Sequence, residues 1–515
     1  MCGFCRYMVV KRADNPDSST ESSLFDRILK YTGVFGGVQM VAMAVTVVLA
    51  KVKSILLGPA GFGVTESLNR TTDIVKNATN LGIQTVAVPD LSLLAETDDP
   101  DGLSERILVT RSWALLTALA GMVICIILAP FLGKWAFAGD TKYAVDFTLL
   151  SMAVAATAIT GGELAVLRGT KFLRMIALSQ LLASIWSLCI SVPLYWLLRI
   201  DGIVPALVLS ALGTMIVTCI YSFRLFPYRS RPFSGVILSK GLGMIGFGVF
   251  FTVAAFLGAW AWSIIARFLT GKGGTELTGT YSAGYMLVTY FATLLLSVLD
   301  SEYYPRLSAV GNDSELMGRT VNNQIQAMLM LSAPLVICFI IGMPLVVYVV
   351  LEYAKFKSSV ALAQLAVAGV FFKSISQPIA YITLSKSDQV MYVIQETICY
   401  ILLITCVLIG YNLLGIIGIG LSLAVWEMLY LGVVVFIARL RYGFRMSCDV
   451  VKCFLIQAVL VISVSAISQT HCRISVFLCI VLLVLSFTYS FVFFRKHSSF
   501  LSGLSGKIRQ RFGYK

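Results

Sequence analysis

Apolar runs of about twenty residues recur along nearly the whole chain, and one segment breaks the pattern. Runs centred near residues 44, 122, 154, 186, 212, 254, 290, 338, 371, 401, 427, 459 and 484 are mostly long enough to span a hydrocarbon core as α-helices. The exception is 62–88, FGVTESLNRTTDIVKNATNLGIQTVAV. There Glu66, Asn69, Arg70, Asp73, Lys76, Asn77, Asn80 and Gln84 recur mainly at steps of three or four, while Leu68, Ile74, Val75, Leu81 and Val86 lie mainly off that stripe. This is the spacing of one helix face. Four charges facing lipid would cost on the order of 10 kcal/mol, and each aliphatic side chain returns only about 0.3–0.6 kcal/mol. The spacing therefore predicts a fourteenth spanning helix whose polar face turns to a bundle interior or a watery cavity.

Composition agrees. The chain has 515 residues, 58% of them hydrophobic and only 13% charged, which leaves no room for a large soluble domain. The net charge of +14 reflects loop placement rather than nucleic-acid binding. With both ends on the cytoplasmic side, 27 of the 40 Lys and Arg fall in inside segments and 10 in outside loops; Arg70, Lys76 and Lys373 lie within spans. Omitting the polar helix would invert every later loop and destroy this bias. The 12 cysteines show no paired loop spacing, and the CxxC of Cys2 and Cys5 has no second pair, so no metal site or cofactor is predicted.

The chain also repeats itself. Pro89-Asp-Leu-Ser92 and Pro305-Arg-Leu-Ser308 close corresponding helices, basic hairpins follow at Arg168 and Lys386, and Gly202 and Gly418 open later helices. Both copies start on the inside, as in transporters built from parallel repeats. The expected fold is an all-α polytopic membrane protein. It has about fourteen transmembrane helices in two six-helix bundles around a central cavity, plus two extra C-terminal helices. The expected segments are a tail at 1–27, bundles at 28–225 and 241–440, a linker at 226–240, helices 13 and 14 at 441–494, and a basic tail at 495–515.

Several stretches resemble one family. YTGVFGGVQ, LLGPAGFG, NATNLGIQTVAV, GTYSAGYMLV, EYYPRLSAV with VNNQ, and VFFKSISQPIAYI occur in order over 28–440. They resemble the polysaccharide flippases of the multidrug/oligosaccharidyl-lipid/polysaccharide exporter superfamily. The charge on the polar helix and the sequence Val88-Pro89-Asp90 depart from the family pattern. The resemblance implies a protein of the bacterial inner membrane that moves an undecaprenyl-diphosphate-linked oligosaccharide between leaflets, as in O-antigen or capsule assembly. It also implies glycan polymerase machinery as a further partner.

Such a substrate needs cations for its diphosphate and polar groups for its sugars, with no bond broken. The candidate binding residues are Arg70 and Lys76 with Glu66 and Asp73 beside them, Asn77 and Asn80, and Lys373. The alternative for the four charges is that they neutralise one another, as the i,i+4 spacing of Glu66 and Arg70 allows. For Lys373 it is a carboxylate on another helix, such as Glu396 or Glu427, or snorkelling. Asn69, Asn77 and Asn80 suit helix packing equally, and Tyr281, Tyr285 and Tyr290 suit packing more than sugar stacking. Pro378 predicts a kink near Lys373, and the glycines of 241–248 either bend their helix or pack closely. An envelope enzyme would need clustered acids, histidines or arginines outside, where loops are short and only His471 and His497 occur in the whole chain. A cation-coupled drug antiporter of the same superfamily is the main rival, and it would use an uncompensated acid among Asp73, Glu163, Glu396 and Glu427.

Overall fold

Backbone crossing lipid must satisfy its own hydrogen bonds, which leaves helices or closed barrels. In the computed structural model every regular element among the described residues is helical. The described residues are 21–97, 99–137, 139, 143–227, 235–298, 303–311, 313–470 and 473–497. Cys2, Cys5, His471, most of the 1–27 tail, half of the 226–240 linker and the tail beyond His497 lie outside them.

Helices α1 (Glu21–Thr79), α2 (Ile83–Glu96), α3 (Pro100–Ala136), α4 (Ala144–Gly169), α5 (Leu173–Leu198), α6 (Ile203–Leu225) and α7 (Gly235–Val298) come first. Then follow α8 (Tyr304–Ala309), α9 (Ser314–Val350), α10 (Tyr353–Ser385), α11 (Gln389–Tyr442), α12 (Cys448–Ile467) and α13 (Arg473–His497). The chain divides into two compact units after Thr278. Among the described residues ten helical runs are long and apolar enough to cross a membrane, and the protein is a multi-pass integral membrane protein.

Four of those ten runs are interrupted by a left-handed residue. The backbone leaves helical geometry at Gly58 in α1, at Arg199 between α5 and α6, at Gly274 in α7 and at Gly415 in α11, each time with φ between 54° and 67°. In a straight helix Thr270 and Thr278 would stand about 12 Å apart. Their hydroxyls are 2.9 Å apart across Gly274. Around Gly415, a Cβ on Gly418 would lie 1.9 Å from the Gly410 carbonyl oxygen. Trp186 donates to the Leu209 carbonyl at 3.0 Å across Arg199.

These breaks carry the internal repeat into the backbone. Gly58 and Gly274 are 216 residues apart (274 − 58), and so are Arg199 and Gly415 (415 − 199). The left-handed residues Lys171 and Ser387 share that offset (387 − 171). Pro89 and Pro305, matched on sequence alone, share it too (305 − 89).

The polar helix differs from its expected course. It does not run unbroken from 62 to 88: Leu81 (φ 50°) and Gly82 (φ 65°) are both left-handed and end it after Thr79. Nor does Pro89 stop the chain there, because α2 runs through it to Glu96. The proline forfeits one backbone bond, and burial of Ile83, Val86, Ala87 and Leu91 against Leu103, Ile107, Ala165 and Val166 outweighs that loss. Below the break, Leu68 and Val75 enter a second cluster with Phe147, Leu150 and Val154.

Gly248 makes the break possible. A Cβ there would sit 2.2 Å from the Leu81 carbonyl oxygen, and one on Gly82 would sit 2.8 Å from the Gly248 oxygen. Gly241 likewise packs against the Trp113 indole. Close packing, not bending, explains these two glycines. Gly248→Ala is expected to cost about 1–3 kcal/mol, read as a lowered unfolding midpoint in detergent; an unchanged midpoint would contradict this contact.

In the second unit, α12 and α13 are tied to each other through Gln457, which donates to the Ser490 hydroxyl at 3.1 Å and accepts from Ser486 at 2.8 Å. Phe454 of α12 stacks on Phe371 of α10. Helix α10 passes through Pro378 without leaving helical geometry, its one irregular residue being Phe356.

Candidate functional site

The polar face of α1 is a ladder of paired charges. The Glu66 carboxylate accepts from Arg70 Nε at 2.7 Å, and Asp73 accepts from Lys76 Nζ at 3.0 Å. All four side chains are part-exposed. The i,i+4 and i,i+3 spacings put each cation one turn above its acid, as helix geometry dictates. Asn69, Asn77 and Asn80 continue the same half-buried face. The Arg70 guanidinium also lies 5.2 Å from the Trp262 ring of α7. Ser67 and Thr71 join the helix to α7 through the hydroxyls of Thr270 and Ser263 at 3.3 and 3.5 Å. Lys53, at the other side of the Gly58 turn, lies over the Phe62 ring at 4.2 Å.

The second unit holds a separate cavity of about 270 Å³. Tyr285, Thr289, Thr293, Lys373, Gln377 and Trp426 contribute to its lining. Lys373 is 41% exposed there, and its ammonium stands 3.5 Å from a carboxylate oxygen of Glu427, which is only 8% exposed. Of the two acids the sequence offered as partners, the fold selects Glu427. The separation exceeds the usual 2.7–2.9 Å of a charge-assisted bond, so the ammonium keeps donor capacity toward the cavity. Glu396 forms no ion pair among the described residues. One turn from Lys373, Gln377 donates to the Tyr381 hydroxyl at 2.8 Å. Tyr281 and Tyr285 stack on each other, their ring centroids 5.9 Å apart.

One cluster escaped the sequence reading. Arg111, which the charge count left outside the spans, is buried in α3 at 2% exposure against Glu163 of α4 at 4%. Its Nε lies 2.9 Å from Oε1 of Glu163 and its Nη2 lies 3.0 Å from Oε2, a two-pronged pair. The remaining donors reach the Phe226 carbonyl at 2.7 Å and the Ser222 hydroxyl at 3.1 Å. Arg111 thus fastens α3 and α4 to the end of α6. A buried, two-pronged ion pair of this kind is architecture, and it removes Glu163 from the acids open to a cation. The available signal was a glutamate in an apolar run, which demands a cation somewhere; 52 residues separate the partners. Among the remaining basic residues, Lys386 donates to the Gly311 carbonyl at 2.6 Å, and Lys171 pairs with Glu96 outside the spans. That ammonium holds the Glu96 carboxyl below its usual range. Among the described residues no three His, Cys, Asp or Glu side chains are placed to hold a metal ion.

The model of the family described as "Polysaccharide biosynthesis protein" matches residues 48–361. The chain belongs to the polysaccharide biosynthesis protein family. The part of this family member that matches includes the polar helix and the Arg111–Glu163 cluster, and ends before Lys373 and Glu427. Comparison with curated proteins gives no match. Among solved structures, the lipid II flippase MurJ in an inward closed conformation superposes with a TM-score of 0.65 at 13% identity, covering 91% of this chain and 99% of that one. An inward-facing multidrug resistance MATE transporter of the MOP superfamily gives 0.61 at 14% identity, over 78% and 96%. A MOP-superfamily transporter from Pyrococcus furiosus, described by the reversed polarity of its binding pocket, gives 0.60 at 14% identity, over 80% and 95%. This polysaccharide biosynthesis protein therefore has the fold of the MOP-superfamily transporters.

Proposed function

We propose that the protein is a flippase that carries an undecaprenyl-diphosphate-linked oligosaccharide from the cytoplasmic to the outer leaflet of a bacterial inner membrane by alternating access. The family match over 48–361, which contains the polar helix, carries this reading. In this reading each of the four broken runs crosses twice, which makes fourteen crossings with both termini cytoplasmic. The bundles are 28–225 and 241–440, with the last two helices appended.

In this reading the lipid tail stays in the bilayer while the diphosphate and glycan follow polar side chains. Arg70, Lys76 and Lys373 meet the diphosphate, Glu66 and Asp73 hold the first two cations in place, and Asn77 and Asn80 hydrogen-bond sugar hydroxyls. Lys373 supports it best, because its ammonium reaches a cavity while remaining within 3.5 Å of its counterion. The fold shared with a flippase named for lipid II supports it further.

The antiporter reading draws on the MATE likeness. Of its four acids, Asp73, Glu163 and Glu427 each have a cation within 3.5 Å, which leaves Glu396 as the one of the four without an ion pair among the described residues. Binding separates the two readings. The flippase reading expects a polyprenyl-diphosphate oligosaccharide to raise the unfolding midpoint in detergent at micromolar concentration, with organic cations inert. Stabilisation by organic cations alone would replace it with the antiporter.

A further inference from the structure

Within the second unit, the side-chain amide of Gln377 has one end spent and one end left over. Its Nε2 donates to the Tyr381 hydroxyl at 2.8 Å, while its Oε1 is buried without a hydrogen-bond partner among the described residues. Tyr381 is itself held. It stacks on Tyr303, ring centroids 6.3 Å apart, and the buried Tyr303 phenol donates to the Pro378 carbonyl at 2.9 Å. A buried acceptor with nothing to accept is unfavourable, and a donor brought by a ligand relieves it. Gln377 is half-buried and lines the cavity of about 270 Å³. A small turn about its soft terminal torsion presents Oε1 there.

The rest of the lining says what kind of ligand fits. Lys373 stands one turn before Gln377 on the same face of α10, which puts their Cβ atoms about 5–6 Å apart. It supplies the ammonium. The Thr289 and Thr293 hydroxyls donate to the carbonyls of Tyr285 and Thr289 at 2.9 and 2.8 Å, so what they offer a ligand is acceptor lone pairs. The Trp426 indole N–H is spent on the Cys399 carbonyl at 2.9 Å, which leaves its apolar surface. A matching ligand carries an anionic group for Lys373 and, directly beside it, a proton to donate to Gln377. A glycosyl phosphate has this layout. Its C1 bears the phosphate, and C1 has two ring neighbours. The ring oxygen has no proton to give, whereas C2 carries a hydroxyl or an acetamido N–H.

Resting on the flippase reading, we propose that Lys373 and Gln377 together read the junction between the diphosphate and the first sugar. Lys373 takes the phosphate, and Gln377 accepts a hydrogen bond from the group on C2 of that sugar. Gln377 is then a specificity residue for the sugar at the lipid end of the glycan. Sugars further out are not read by this pair.

The test uses the full chain in proteoliposomes with two fluorescent polyprenyl-diphosphate oligosaccharides that differ only at the first sugar. One begins with a 2-acetamidohexose, the other with the 2-deoxyhexose. Wild type should move the first about tenfold faster or more, because a site with a buried polar group rejects the analogue that leaves it unpaired. Gln377→Met keeps the side-chain length and removes the acceptor. It should bring the ratio of the two rates down to about threefold or less, whatever its absolute rates. Equal rates in wild type would overturn the proposal without reference to any variant. A ratio unmoved in Gln377→Met would overturn the role of Gln377. Movement of neither lipid by wild type would remove the flippase reading, and this inference with it.

Discussion

Arg111→Met should be the most destabilising single substitution among the charged residues discussed. It leaves the Glu163 carboxylate at 4% exposure without a counterion and strips donors from the Phe226 carbonyl and the Ser222 hydroxyl. Breaking a buried pair from one side costs about 3–5 kcal/mol. The expected outcome is a large fall in monodisperse protein and in the unfolding midpoint. The double variant Arg111→Met/Glu163→Leu should recover much of the loss, because an apolar pair of similar volume is often neutral or better. Equal stability of wild type and the single variant would show that the cluster does not hold α3, α4 and α6 together.

Lys373→Ala should have the largest effect on transport. Its loss removes a cation from the cavity and also leaves the buried Glu427 carboxylate without its counterion. The double variant Lys373→Ala/Glu427→Gln separates the two consequences. If Lys373 serves only to neutralise Glu427, the double variant regains the wild-type rate. If Lys373 meets the diphosphate, the double variant stays slow by about ten- to a hundredfold, the loss expected for one hydrogen bond to a charged group. The account predicts the second outcome, with Lys373→Arg keeping part of the activity because a guanidinium also binds phosphate. The measurement is an initial rate of translocation, normalised to inserted protein.

The two candidate clusters differ in how they were read. The charge ladder of α1 was legible because helix spacing alone brings Glu66 to Arg70 and Asp73 to Lys76. Lys373 was legible as a lysine in an apolar run, which restricts its partner to the few acids in other runs, and Glu427 was one of the two named. Arg111 was not legible. It ends the polar stretch 96–111, which the charge count left outside the spans, and only the packing of α3 against α4 shows that it is buried. The break at Leu81-Gly82 was missed for a different reason. A left-handed leucine has no local signature, and the close approach that fixes it comes from Gly248, far away in sequence. The repeat, by contrast, was visible at Pro89 and Pro305 and returns at the same offset in the turns at Gly58 and Gly274 and at Arg199 and Gly415.

The paired charges also bear on how a diphosphate could be bound and released. A cation fully committed to an acid would ignore it, and an isolated one would hold it too tightly to let go. Lys373, half-exposed and 3.5 Å from its counterion, lies between these limits. So does Lys76, whose Asp73 partner is itself solvent-accessible and therefore weakens the pair by screening.

The most direct test of the central claim is translocation itself. Purified protein in proteoliposomes would be given a fluorescent undecaprenyl-diphosphate oligosaccharide, and the fraction in each leaflet would be followed by quenching with a membrane-impermeant reagent. The account predicts protein-dependent movement between leaflets that is lost in the Lys373→Ala/Glu427→Gln variant. Movement no faster than in protein-free liposomes, across neutral and acidic glycans alike, would contradict it.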